Sequence, residues 1–232
     1  MIRFCRQVPC ENEQAASLLV DVDDPAELLR YRASLPGASG YDAAVQTLRQ
    51  LPVDIDELAL LPLILPTSWM VNSTATSRTF RAWRTPEGQQ AFGAILTLLP
   101  REMSLVDWLG TSAEERTAIE AFVRILARAE SGSLVAVSKV LSLYRPQLVP
   151  LMDDAAIAFA LGKVPHPATA DDPRAGPELF VPMLDWFARE HAREEPALLQ
   201  LARDHTEAVL DTAQVLDRLL WVVSWGNAQR GC

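Results

Sequence analysis

The sequence predicts an all-α protein, a single globular multi-helix domain over residues 1–232. Three observations carry this. Apolar residues recur at three- and four-residue spacings through most of the chain. Helix starts recur as Ser, Thr or Asp followed by proline or acidic residues. No segment shows sustained two-residue alternation between turn dipeptides, the mark of a half-buried strand.

Residues 12–20 and 25–33 read as short helices, the second opened by Asp24 as N-cap with Pro25 at the first helical position. LPGASGY (35–41) is a turn, and a helix from Tyr41 to Gln50 places Ala44, Val45 and Leu48 on one face. Asp54 and Asp56 precede ELALLPLIL, a hydrophobic helix that Pro62 kinks or splits. From Trp69 to Thr85 no period is legible. Residues 86–99 form a helix with Phe92, Ile95, Leu96 and Leu99 inward. Ser104 begins a short helix that stops near Gly110, and Thr111-Ser112-Ala113-Glu114-Glu115 is a capping box opening a helix to about Glu130. Helix 133–144 ends before Arg145-Pro146, and Asp153 or Asp154 caps a helix that ends at Gly162. Four prolines make 164–177 a loop, the expected cover of a site. Helices over 177–194, 196–204 and about 206–224 complete the chain, with residues 1–20 and 226–232 expected at the periphery.

Composition narrows the function classes. The chain is 49% hydrophobic, which excludes general disorder, and its 30 acidic against 21 basic residues leave a net charge of −9. That balance argues against a protein built to hold a nucleic-acid backbone, while leaving room for a local basic patch. Cys5, Cys10 and Cys232 are too few for a disulfide framework. The start, MIRFCRQVPCENEQ, has no apolar signal-peptide core. The longest apolar run, Leu58 to Leu65, is far short of the ~20 residues that span a bilayer. A cytoplasmic protein without a membrane segment is expected. Phosphate loops, CxxC pairs, HExxH and GxSxG are all missing, so no metal and no cofactor is expected. His166, His191 and His205 are far apart, with His191 and His205 on polar helix faces, and Asp21, Asp23 and Asp24 read as a solvated turn.

The informative region is 131–161. On a wheel at about 100° per residue, Leu134, Val137, Val140, Leu141, Leu143 and Tyr144 cover most of helix 133–144. Ser138, Lys139 and Ser142 share one narrow polar arc. A helix apolar nearly all round is buried, and its polar stripe then needs a partner, water or a ligand. Lys139 is one of only two lysines, the other being Lys163. Burial would lower its pKa and make it a nucleophile or base; snorkelling or pairing with a carboxylate is the plainer alternative. Asp153 and Asp154 follow directly after Val149-Pro150-Leu151-Met152. One aspartate suffices as an N-cap; the second is free to face a cavity.

RPQLVPLMDDAAIAFAL (145–161) resembles the end of the helix-hairpin-helix DNA glycosylase signature, in which a Pro-aliphatic-aliphatic-Asp element follows a helix that carries a lysine in some members. The resemblance implies a sugar-cation-stabilising or nucleophile-activating role for Asp153 and a Schiff-base lysine at Lys139. A closer resemblance is to an uncharacterised family, mostly actinobacterial, through Val53-Asp54-Ile55-Asp56-Glu57-Leu58-Ala59, through Ala136–Leu141 with Arg145-Pro146-Gln147-Leu148-Val149-Pro150, and through Val215-Leu216-Asp217-Arg218-Leu219-Leu220-Trp221. Two features depart from the glycosylase pattern. A working hairpin presents Gly-aliphatic-Gly to phosphate, whereas 132–137 holds one glycine, and the spacing from Lys139 to Asp153 is shorter.

Arg78, Arg81 and Arg84 form the one local basic concentration, with Phe80 and Trp83 interleaved and Trp69 in the same irregular segment, able to clamp an anion or stack a base. The sequence therefore predicts an enzyme on a glycosylase-like scaffold acting on a small molecule by displacement or elimination at a carbon bearing a leaving group. Asp153 and Lys139 are its expected catalytic residues. Ser138, Ser142, Asp154, Arg81, Arg84, Trp83 and Trp69 are its expected substrate contacts, an anionic substrate being favoured by the arginines. The alternatives are a DNA glycosylase acting on a flipped base and a non-catalytic helical partner subunit or homodimer.

Overall fold

A computed structural model of the chain describes residues 2–8, 16–22, 24–34, 38–52, 55–60, 83–127, 134–162, 176–204 and 211–229. The protein is mostly helical, as its periodicity predicts. Its helices are α1 (Pro25–Ser34), α2 (Ala38–Arg49), α3 (Pro86–Leu98), α4 (Leu105–Leu109), α5 (Ala113–Ala127), α6 (Leu134–Tyr144), α7 (Asp154–Leu161), α8 (Phe180–Asp204) and α9 (Thr212–Gln229), with 3-10 turns at Leu58–Leu60 and Pro177–Leu179. None of the described helices is long and apolar enough to cross a membrane.

One departure is at the start of the chain. Strands β1 (Ile2–Val8) and β2 (Ala16–Val22) form an antiparallel hairpin in the register Phe4↔Val20, where a helix over 12–20 was expected. Ile2 and Phe4 are fully buried and Arg3 between them is exposed, so β1 belongs to the core rather than the periphery. Phe4, Phe159 and Trp186 pack with ring centroids 6.2–6.3 Å apart and join β1 to α7 and α8. The edge of β1 is covered by side chains of α8: Cys5 N donates to Glu190 at 2.8 Å, and Trp186 Nε1 donates to the Cys5 carbonyl at 2.9 Å. Burial raises the Glu190 pKa, with the Cys5 amide and Arg193 opposing it.

The caps written in the sequence are made. Asp24 accepts from Glu27 N at 2.9 Å, and Thr85 accepts from Gly88 N at 3.1 Å. Ser104 with Asp107 and Ser112 with Glu115 form reciprocal capping boxes. Gly162 stops α7 with φ 65°, a left-handed conformation in which a Cβ would be strained. The helices expected over 177–194 and 196–204 are instead one 25-residue helix running through Pro196. Pro196 and Ala192 both face solvent, so water can satisfy the carbonyl that the proline leaves without an amide.

α8 is the spine. It packs on α4, α9, α7, β1 and α5, while α3 packs on α5 and α6 lies between α2 and α5. Its buried face runs through Phe180, Met183, Leu184, Phe187 and His191 to Leu198. His191 is thus buried rather than on a solvated face. Its Nε2 meets Thr212 Oγ1 at 2.7 Å, Nδ1 has no partner among the described residues, and desolvation lowers its pKa. His166 and His205 lie outside the described residues.

Candidate functional site

The site expected from the sequence is built where α6 meets the start of α7. Every residue of α6 except Val135 is buried, as its all-round apolar pattern predicts. The two serines of its polar stripe are used internally. Ser138 Oγ donates to the Val135 carbonyl at 3.0 Å and accepts from Met152 N at 3.1 Å, which ties α6 to the connection before α7. Ser142 Oγ donates to the Lys139 carbonyl at 3.0 Å, a back-bond within its own helix. Both hydroxyls therefore serve the backbone.

Lys139 is different. It is 6% exposed, and among the described residues its ammonium makes no hydrogen bond or ion pair. Desolvation pushes its pKa down to about 8, against the upward pull of the Asp153 and Asp154 carboxylates. The group is thus mostly an ammonium at pH 7 but carries a far larger neutral fraction than an ordinary lysine, and it sits within the field of two acids. Asp153 has a structural task as well: its side chain accepts from Ala156 N at 2.7 Å as the N-cap of α7. Asp154, the first residue of α7, is exposed. The same connection is held from its other side, where Leu151 N donates to Asp217 of α9 at 2.9 Å. The backbone that presents Asp153 is thereby fixed by a serine of α6 and an aspartate of α9.

Of the second group of expected contacts, Trp83 and Arg84 are among the described residues. Trp83 is fully buried, its ring 5.2 Å from that of Phe92, which in turn meets Tyr144 at 5.1 Å. It is a core residue, with an Nε1 that has no partner. Arg84, next to it, faces solvent. Trp69, Arg78, Arg81 and most of the 164–177 loop lie outside the described residues. Among the described residues no group of three or more His, Cys, Asp or Glu side chains is placed to hold a metal ion.

Sequence reasoning missed a second polar centre. Arg145, directly after α6, is 2% exposed and uses all five of its donors. Its two terminal nitrogens grip the two carboxylate oxygens of Glu57, each at 2.7 Å. The remaining donations go to the Tyr144, Leu96 and Leu99 carbonyls, the last two at the otherwise open end of α3. Tyr144 hydroxyl donates to the Glu57 carbonyl at 3.1 Å, and burial holds its pKa above the ordinary phenol value. Beside this pair opens a cavity of about 520 Å³ lined by the end of α2, Leu51, residues 55–60, Arg101, Glu102 and the end of α6. The available signal was an arginine following an all-apolar helix, with an acidic cluster at 54–57 elsewhere in the chain.

The stretches picked out in the sequence are tied together by two separate contacts. Glu57 joins the first to Arg145 of the second, and Asp217 joins the third to Leu151. No curated protein and no solved structure matches the chain, so no glycosylase stands among its matches. The family of unknown function DUF6308 matches residues 74–226, most of the sequence, and the chain belongs to that family.

Proposed function

We propose that the protein is an enzyme acting on a small molecule at Lys139 and Asp153. The supporting observation is Lys139, a residue only 6% exposed whose amine makes no hydrogen bond or ion pair among the described residues. A long cationic side chain is among the residues least often enclosed without a partner, and keeping one in a core helix lowers stability. Perturbed titration beside specific charges is characteristic of reacting groups. In this reading the neutral Lys139 amine attacks a carbon bearing a leaving group, which departs with the bonding pair. The new ammonium then gives its proton to Asp153, held in place by the start of α7; Asp153 returns that proton to the nitrogen as water displaces the amine from the same carbon and loses a proton to solvent, which releases the product as an alcohol and restores Lys139. Elimination needs the same pair, with Asp153 or Lys139 taking a proton from the adjacent carbon.

The scaffold in this proposal is of the helix-hairpin-helix glycosylase kind. Its support is the succession of a lysine-bearing helix, the connection Arg145–Pro150 and an aspartate heading the next helix. The net charge of −9 favours a small-molecule substrate over duplex DNA.

The presence of only two lysines makes the test specific. The folded protein is treated with glyoxylate and cyanoborohydride over about pH 6 to 11, and each lysine is followed by peptide mass spectrometry. Lys139 should be alkylated with a midpoint near pH 8, well below the ordinary lysine value of 10.5. A Lys139 that stays unmodified throughout, or that titrates like an ordinary lysine, removes the basis of the proposal.

A further inference from the structure

We propose that the groove between the end of α3, α4 and the start of α5 is a docking surface for a basic amphipathic segment of a partner protein, which seats an apolar side chain in the groove and sets lysine or arginine against its rim. Lys139 does not line it, and neither proposal depends on the other. The groove has a volume of about 390 Å³. Leu98, Pro100 and Met103 form its apolar part, and Glu102, Asp107 and Glu115 its charged part. On α4, Val106 and Leu109 are 55% and 44% exposed, two of the four large apolar side chains that stand in solvent among the described residues. Scattered apolar side chains on a surface need no explanation, but two of four on one five-residue helix beside an apolar groove mark a contact surface.

Charge decides the kind of partner. Among the described residues no arginine, lysine or histidine lines the groove. Arg101 lines the cavity beside Glu57 instead, where it donates to the Pro52 and Leu48 carbonyls. Arg116 donates to the Thr111 carbonyl and to Asp185 and does not line the groove. The three carboxylates keep acceptor capacity. Asp107 and Glu115 each spend one oxygen on their capping serines, Ser104 and Ser112, and among the described residues the other oxygen makes no bond. The same serine bonds hold both carboxyls below the ordinary range, so both are ionised at pH 7. Glu102, exposed at the rim, makes no hydrogen bond or ion pair among the described residues. The three acids are not gathered as a metal site; they stand round an apolar floor, as the charged rim of an interface stands round its apolar centre. A second copy of the chain, itself at −9, would in a symmetric pair bring its own acidic rim against this one, so two-fold pairing is opposed. Cationic side chains three or four residues from an apolar one on a helix meet both parts of the groove at once.

The test is fluorescence anisotropy, with the full chain titrated into two labelled peptides of about 14 residues made only of leucine and lysine. In one the leucines fall on one face of a helix; in the other the same residues are permuted so that they scatter round it. At about 0.15 M salt the first should bind one site with a Kd of about 10 μM, and the permuted one about tenfold or more weakly. Glu102→Lys should weaken the first peptide about tenfold, and Val106→Ser about threefold. Glu87→Lys makes the same charge change about 16 Å along α3 from Leu98 and should alter binding less than about twofold. Circular dichroism confirms that the three variants fold. Equal binding of the two peptides, equal losses in Glu102→Lys and Glu87→Lys, unchanged binding in Val106→Ser, or no saturable binding below about 1 mM would each overturn the proposal. So would self-association of the free protein that Val106→Ser abolishes, since a second copy would then be the occupant.

Discussion

Glu57→Gln is a sharp probe of how the molecule is held together. The substitution keeps the size of the side chain and removes one charge, leaving the Arg145 guanidinium buried without its counter-ion. Arg145 keeps its three carbonyl acceptors, so the end of α3 stays closed. Breaking one half of a buried pair costs about 3–5 kcal/mol, because the remaining charge stays out of water. Glu57 itself is partly exposed, with 21% of its side-chain area open, so the lower end of that range, about 3 kcal/mol, is expected. Against a total stability of about 5–15 kcal/mol this is a large fraction. In a chain of this length it lowers Tm by about 6–12 °C. Arg145→Met should cost more, about 5 kcal/mol, since it also uncaps α3. Urea unfolding of the wild type, both single variants and the double variant gives the coupling energy directly. A loss below about 1 kcal/mol for Glu57→Gln, or additive single effects, would refute the view that this pair is a desolvated, mutually dependent unit.

Lys139→Met should leave the protein as stable or more stable at pH 7, because among the described residues the ammonium makes no hydrogen bond or ion pair. Its folded pKa of about 8 lies below the unfolded value near 10.5, so the unfolded chain binds more protons between those limits. Wild-type stability should therefore rise with pH from about 8 to 10.5, by about 3 kcal/mol relative to the Met variant, and urea melts at both pH values check it. A Met variant clearly less stable at pH 7 would show that the amine is paired. Asp153→Ala should lose about 1 kcal/mol with the α7 cap, while Asp153→Asn keeps the cap and lowers the Lys139 pKa further, readable by NMR titration of the lysine. Phe4→Ala should cost about 3–5 kcal/mol in thermal or urea unfolding, as a core aromatic does and a peripheral residue does not.

Helix positions were legible wherever a local code operates. Asp24, Thr85, Ser104, Ser112 and Asp153 all cap as their side chains require, and Gly162 takes the backbone conformation its place demands. The hairpin was not legible, because an apolar run such as Leu18-Leu19-Val20 suits a strand or a helix equally. What decides is pairing with β1 and the burial of Phe4 against α7 and α8, a long-range outcome. The same holds for the candidate site. Lys139 was visible because the code involved is periodicity within one helix. Glu57 and Arg145, 88 residues apart, were not, and neither was the burial of Trp83, which depends on Phe92 of α3. His191 could have been found: it extends the buried stripe Leu184, Phe187 at helical spacing.

The cover that α8 lays over β1 also sets an order of assembly. The backbone of Cys5 finds its partners 181 and 185 residues later, at Trp186 and Glu190. During synthesis, at about 5–20 residues per second, the hairpin therefore waits for some tens of seconds before its edge can be closed. Through that interval its apolar residues lack the α7 and α8 surfaces that bury them, and whatever strand edge forms is open to pairing with other chains. A chain interrupted before α8 would keep that edge permanently. Its failure would be aggregation rather than the quiet loss of one helix, and the yield of intact protein should fall with the concentration of nascent chains.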